Sequence, residues 1–160
     1  MTQDIITVTC VPWVTLIPGE RAEARLGLSV AEGFHVQANP AGGPFLLPLQ
    51  IAFSRQQTLR AGRPRYPAGQ RFRLQGSADP LLVYSGKFDL VVPVEAFADA
   101  EAGDYFLKGT LRYQACDART CLFPASLPIV VPVEVLTPIN QGKEVAVPVQ
   151  ARPFAQAVRS

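Results

Sequence analysis

Two of the three cysteines, Cys116 and Cys121, lie close together, separated by Asp117, Ala118, Arg119 and Thr120, while Cys10 stands alone near the start. Tyr113 to Cys116 continues an alternating strand, the four intervening residues are of turn length, and Leu122 to Phe123 can begin the return strand. That arrangement sets two sulfurs facing each other across a hairpin mouth, where a disulfide is geometrically reasonable. Such a bond is a poor staple. Closing a ring of about six residues constrains the unfolded chain by only about 2 kcal/mol, against nearly twice that for a bridge between distant strands. A bond that contributes so little to folding can open and close without unfolding the domain, and the short ring limits its geometry in a way that eases reduction. Redox exchange, a structural bridge, two unpaired thiols and a metal site are the readings open at this point.

The metal reading is the thinnest. A structural zinc needs four ligands, and the chain offers three cysteines and one histidine, His35, with no second close pair. Met1 is the only methionine, which disfavours copper. Exchange needs an accessible sulfur, and in the 105–115 stretch the apolar side chains are the odd residues. Cys116 is therefore expected on the polar, accessible side if the strand stays regular to its end. Arg112 and Arg119 would favour a thiolate and Asp117 would oppose it. An ordinary thiol is only about 3% ionised at pH 7, so modest tuning changes the reactive fraction. Cys10, after Val8 and Thr9 in a first strand, is expected to be a small buried hydrophobe. In Phe34-His35-Val36-Gln37 the alternation turns His35 away from the core, as a solvated side chain.

The elements that must position these groups are strands. Fifteen prolines and twelve glycines spread along the chain leave room for an uninterrupted helical pattern only near Val94 to Ala102. Ala22, Ala24, Leu26, Leu28 and Val30 alternate with polar or small residues and predict the clearest strand. The same period of two marks Leu49, Ile51 and Phe53; Phe88, Leu90, Val92 and Val94; and Tyr105, Leu107, Leu111 and Tyr113. A last run, Leu127 to Val135, carries Pro128 and Pro132 on its outward parity, which predicts an edge position. Seven or more such strands predict an all-β, immunoglobulin-like antiparallel sandwich, with a closed barrel as the rival. Residues 1–136 are expected to form that domain, and 137–160 a C-terminal extension with a short strand at Val145 to Val149 before it frays.

Composition narrows the partners. At 160 residues the chain makes one ordinary domain. With 48% hydrophobic and 18% charged residues it is too apolar for a disordered polymer, and a net charge of +2 gives no electrostatic case for nucleic acid. No run of about 18 apolar residues occurs, and Met1 to Thr9 lacks the basic and apolar segments of a secretory signal, so the chain as given is expected to be soluble.

The segment Leu111-Arg112-Tyr113-Gln114-Ala115-Cys116-Asp117-Ala118-Arg119-Thr120-Cys121-Leu122-Phe123-Pro124 resembles the active-site hairpin of the amino-terminal periplasmic domains of the thiol:disulfide interchange protein DsbD. Upstream, Gly33 to Pro40, Arg65 to Gly69, Leu82 to Gly86 and Val91 to Val94 occur in the order that family shows, so the resemblance covers roughly Val8 to Val135. It implies the same sandwich fold and a periplasmic protein-disulfide reductase activity working as one step of an electron relay. A membrane-embedded thiol reductase domain would pass two electrons to the Cys116–Cys121 disulfide, and the dithiol would reduce oxidised thioredoxin-like client proteins. No cofactor beyond the disulfide is implied. By position, Cys121 would form the mixed disulfide and Cys116 would resolve it. His35 and Gln37 become candidate neighbours of the sulfurs, joined by Tyr113, Phe123 and Pro124 as partner-facing candidates. The chain departs from the family's best-known member in three ways. It has one residue fewer between the cysteines, and it has His35 and Gln37 in place of tyrosines. The stretch matching the acidic and aromatic cap loop, Gln75 to Leu81, has no aromatic residue. The rival function is a non-catalytic interaction module whose hairpin disulfide pins a loop.

Overall fold

The structure, a computed structural model, describes residues 4–138 and the backbone of 153–154. In chain order its strands are β1 (Ile6–Pro12), β2 (Val14–Leu16), β3 (Arg21–Val30), β4 (His35–Gln37), β5 (Gln50–Phe53), β6 (Leu59–Ala61) and β7 (Gln70–Phe72). They continue with β8 (Leu81–Tyr84), β9 (Lys87–Ala96), β10 (Gly103–Tyr113), β11 (Ala115–Cys116), β12 (Ala125–Val135) and β13 (Pro153–Phe154). Two larger sheets, β13-β1-β3-β9-β6 and β2-β12-β10-β5, form an immunoglobulin-like sandwich, and a third, β11-β4-β8-β7, carries the cysteine hairpin. Among the described residues each sheet has two ends, which fits the sandwich and not the barrel alternative. One pairing is parallel, Val14–Leu16 of β2 alongside Val133–Val135 of β12.

Period-two patterning explains the two central hairpins. β3 pairs with β9 from Arg21↔Glu95 to Ser29↔Lys87, which stacks Ala24, Leu26 and Leu28 beside Leu90, Val92 and Val94 on the inner face. β10 pairs with β12 along its whole length, from Gly103↔Val135 to Tyr113↔Ala125. Leu107, Leu111, Ile129, Val131 and Val133 then face the first sheet and are buried. Each such side chain contributes roughly 1.5–3 kcal/mol on leaving water, so this layer fixes the register of the strand leading to the cysteines. On β10, Gly109 lets β5 come close. A Cβ there would lie 2.6 Å from the Phe53 ring and 2.7 Å from the Ala52 carbonyl oxygen.

Three expectations need correction. Val94 to Ala102 forms no helix: β9 runs through Ala96, and a turn follows in which Ala100 N–H donates to Phe97 O. The described residues contain no helix long and apolar enough to cross a membrane. β12 is not a free edge throughout, because β2 covers Val133–Val135; Pro128 and Pro132 lie before that stretch, and Pro132 is buried. Cys10 is a free, exposed cysteine instead of a buried hydrophobe. A bulge between Val8 and Cys10 shifts the register so that Cys10 meets Gly27, and Thr9 and Cys10 are both exposed. The strand expected at Val145 to Val149 lies outside the described residues, whereas Pro153–Phe154 pairs with Val11–Pro12 of β1.

Candidate functional site

The site is built where the chain changes sheets. β10 ends at Tyr113, Gln114 belongs to no strand, and Ala115–Cys116 resumes as β11 with a new partner, β4, in the register Ala115↔Val36 and Cys116↔His35. That break resets parity. Ala115 and Cys116 are both buried, and Cys116 has 0% of its surface exposed, so the accessible position expected from regular alternation is not found. Gln114 is the pivot: its carbonyl accepts from Gln37 N–H at 2.9 Å, its Oε1 accepts from Leu47 N–H at 2.9 Å, and its Nε2 donates to Leu122 O at 3.3 Å.

Cys116 and Cys121 are joined by a disulfide across the hairpin mouth, as the spacing predicts. The turn closes with Asp117 N–H donating to Thr120 O at 3.0 Å, and Leu122 N–H donates to Ala115 O at 2.7 Å. The return strand β12 starts only at Ala125, later than expected, which leaves Phe123 and Pro124 in an exposed connection. Asp117 Oδ1 accepts from Arg119 and Thr120 N–H at 2.8 and 2.9 Å, and these bonds hold its carboxyl below the usual range. Its charge is turned onto the turn's own amides.

The two sulfurs are unequal. Cys116 is sealed, whereas Cys121 is half-buried and reachable from solvent. Beneath them lies Gln37, itself 0% exposed, whose Nε2 is 3.2 Å from Cys116 Sγ and 3.7 Å from Cys121 Sγ. A disulfide sulfur has lone pairs and no hydrogen, so the N–H end of the amide is the one that can bond it. Among the described residues, Gln37 Oε1 and His35 Nδ1 are buried without a partner. His35 is half-buried, not the freely solvated side chain expected, because its ring stacks on Phe72 of β7 with centroids 3.9 Å apart. Burial lowers its pKa, so the imidazole is neutral at pH 7.

A second layer holds β4 in place. The Tyr84 hydroxyl donates to Pro67 O at 2.7 Å and accepts from Asn39 N–H at 3.1 Å, just past the end of β4. Burial raises its pKa, so it stays a neutral phenol. Asn39 Nδ2 donates to Leu49 O at 2.8 Å, and Leu49 N–H donates to Gln37 O at 3.2 Å. The Gln75–Leu81 stretch reaches the hairpin tip, with Gln75 N–H donating to Ala118 O at 3.0 Å.

The scaffold that carries this disulfide is similar to known proteins. The family model described as "Thiol:disulfide interchange protein DsbD, N-terminal" matches residues 3–130. The chain belongs to that family. Among solved structures it is similar to the N-terminal periplasmic domain of ScsB from Proteus mirabilis, with a TM-score of 0.52 and 15% identity, a likeness of fold. That match covers 79% of this chain and 44% of the other, so the chain spans less than half of the protein it matches. A family 123 glycoside hydrolase from Clostridium perfringens aligns at a TM-score of 0.38 and 8% identity over 84% of this chain and 28% of its own. No curated protein matches the chain.

As a DsbD N-terminal domain, the chain is a thiol:disulfide interchange domain carrying a Cys116–Cys121 disulfide. The structure brings Gln37 to that disulfide and pairs His35 with Cys116 across β4 and β11. Phe123, 93% exposed, and Pro124, also exposed, lie just beyond Cys121. Tyr113 is different: it is 7% exposed and belongs to the buried core instead of facing a partner as expected, and burial raises its phenol pKa. Sequence reasoning missed Gln114, Phe72 and Tyr84. Gln114 stood inside the Tyr-Gln-Ala-Cys motif and could have been weighed as a polar residue beside a strand break. Tyr84 stood inside the Leu82 to Gly86 stretch that carries the resemblance, whereas Phe72 gave no signal of its own, since only the third sheet's pairing brings it near β4.

Proposed function

We propose that this domain carries electrons in the periplasm, accepting two from a membrane-embedded thiol reductase domain and passing them to oxidised thioredoxin-like clients. The observation that carries this reading is the asymmetry of the disulfide, one sulfur reachable and the other sealed. A donor thiolate attacks Cys121 Sγ, the S–S bond breaks, and the electron pair goes to Cys116 Sγ. The donor's second thiol then attacks the mixed disulfide, leaving the donor oxidised and this domain a dithiol. In the forward step the Cys121 thiolate attacks a client disulfide. Cys116 displaces the client's thiol from the resulting mixed disulfide, which restores the Cys116–Cys121 bond and releases a reduced client. Phe123 and Pro124 supply an apolar rim beside Cys121 for the partner's own active-site surface.

Trapping tests it. In a Cys10→Ser background and a periplasmic extract, Cys116→Ser, with Cys121 free, should capture disulfide-linked partners, and Cys121→Ser should capture few or none because Cys116 is sealed. Equal capture by both variants, or none by the first, overturns the reading. A reduction potential well below about −300 mV would instead assign the bond to pinning the hairpin.

A further inference from the structure

We propose that Gln37 is a catalytic residue of the exchange: its side-chain N–H stabilises the charge that Cys116 Sγ takes up as the disulfide opens. The inference rests on the relay reading for its biological setting, but it concerns sulfur chemistry that any dithiol reductant can probe. In the resting protein, Gln37 is a costly occupant of its position. It is 0% exposed, its Oε1 has no partner among the described residues, and its N–H faces neutral disulfide sulfurs, which are weak acceptors. A leucine of similar volume would leave no polar atom unpaired. Its backbone is nonetheless fully bonded, through its N–H to Gln114 O and its carbonyl from Leu49 N–H, so β4 fixes where the amide points.

Reduction changes what the amide is facing. As a donor thiolate bonds to Cys121 Sγ, the electron pair of the S–S bond moves to Cys116 Sγ, a sulfur with 0% exposure and hence without bulk water to solvate the charge. The Gln37 Nε2–H, 3.2 Å from that sulfur and 3.7 Å from Cys121, becomes a charge-assisted donor on the atom that needs one. The proton released by the donor's second thiol as it attacks the mixed disulfide then passes to Cys116, and charge and electrons balance. Other groups nearby do not supply this. His35, opposite Cys116 in β4, is neutral, Asp117 is negative and bonded to its turn, and Arg119 is exposed at the tip.

The test uses a Cys10→Ser background, so that the exposed free thiol does not take part. Oxidised protein is mixed with dithiothreitol at pH 7 and the opening of the disulfide is timed. Gln37→Leu should slow it by about tenfold or more, the scale of one hydrogen bond to a charged group, and Gln37→Glu should slow it further by placing a carboxylate at the leaving sulfur. In reduced protein with Gln37 intact, the Gln37 side-chain amide NMR signal should shift through the same pH midpoint as the Cys116 Cβ carbon, a readout independent of whether any variant folds. Rates within twofold for variants that unfold at the native temperature, or an amide signal that stays flat while Cys116 titrates, overturn the proposal. Slow opening with no partner trapped keeps the role of Gln37 and removes the relay; trapping with unaltered rates does the reverse.

Discussion

Replacing Gln114 with leucine keeps its bulk and removes two side-chain hydrogen bonds, one to Leu47 N–H at 2.9 Å and one to Leu122 O at 3.3 Å. Each such bond is worth about 1 kcal/mol net. The two should not be lost equally in both redox states. The Leu47 bond anchors the loop after β4 and matters whether the disulfide is open or closed. Leu122 directly follows Cys121, so while the disulfide is closed it is already tied to β11 by that bond and by its own N–H to Ala115 O. Gln114→Leu should therefore cost about 1 kcal/mol in the oxidised domain and about 2 kcal/mol in the reduced one. By the thermodynamic cycle, a reduced form weakened by about 1 kcal/mol more than the oxidised form is harder to reach. The reduction potential should fall by about 20 mV. Urea unfolding of both redox forms gives the two stability losses, and a glutathione redox titration gives the potential independently. Equal losses with an unmoved potential would refute the claim that Gln114 holds Leu122 when the disulfide is open.

Two further outcomes follow, one from His35 beside the site and one from the approach of β5 to β10. Burial lowers the His35 pKa below the ordinary value of about 6.5, so as pH falls the unfolded chain binds a proton before the native one. Stability is then at its full value above about pH 6.5 and is lost as pH drops through the lowered folded pKa. Thermal midpoints from about pH 8 to 5 should show this slope in the native protein and lose it in His35→Phe, which keeps a ring on Phe72; an identical slope in both would place its origin elsewhere. Gly109→Ala should cost roughly 1–3 kcal/mol, because its Cβ would meet the Ala52 carbonyl oxygen, which cannot rotate away. Native-like stability in urea would show that β5 does not need that approach.

How much was legible in the sequence follows from how local each signal is. The long strands were readable because period-two alternation needs only neighbouring residues: Arg21–Val30, Lys87–Ala96 and Ala125–Val135 contain the runs it predicts. The cysteine hairpin was readable for the same reason, its spacing being its geometry. Parity failed wherever a strand changed partner or register. The break at Gln114 buried Cys116, and the bulge after Val8 exposed Cys10. Gln37 shows the same limit. By alternation it shares a face with His35, yet it is fully buried, because that face of β4 lies against the cysteine hairpin and not against solvent. Nothing in Gly33 to Pro40 announces that a second segment, some 80 residues later, will cover it.

The change of sheet at Gln114 is also what makes the disulfide chemically lopsided. Had β10 continued regularly into the hairpin, Cys116 would have stood on the wet face, and both sulfurs would have met solvent and partner alike. By leaving β12 and β5 and joining β4, the chain turns Cys116 inward onto a buried amide while Cys121, on the return side of the turn, stays reachable. On the proposed relay, a partner thiolate then has one sulfur to attack, and the sulfur it displaces is the one beside a hydrogen-bond donor. In the proposed exchange, direction then follows from strand pairing, before any difference in thiol acidity is considered. An insertion that restored regular alternation between Tyr113 and Cys116 would abolish that preference even with both cysteines in place.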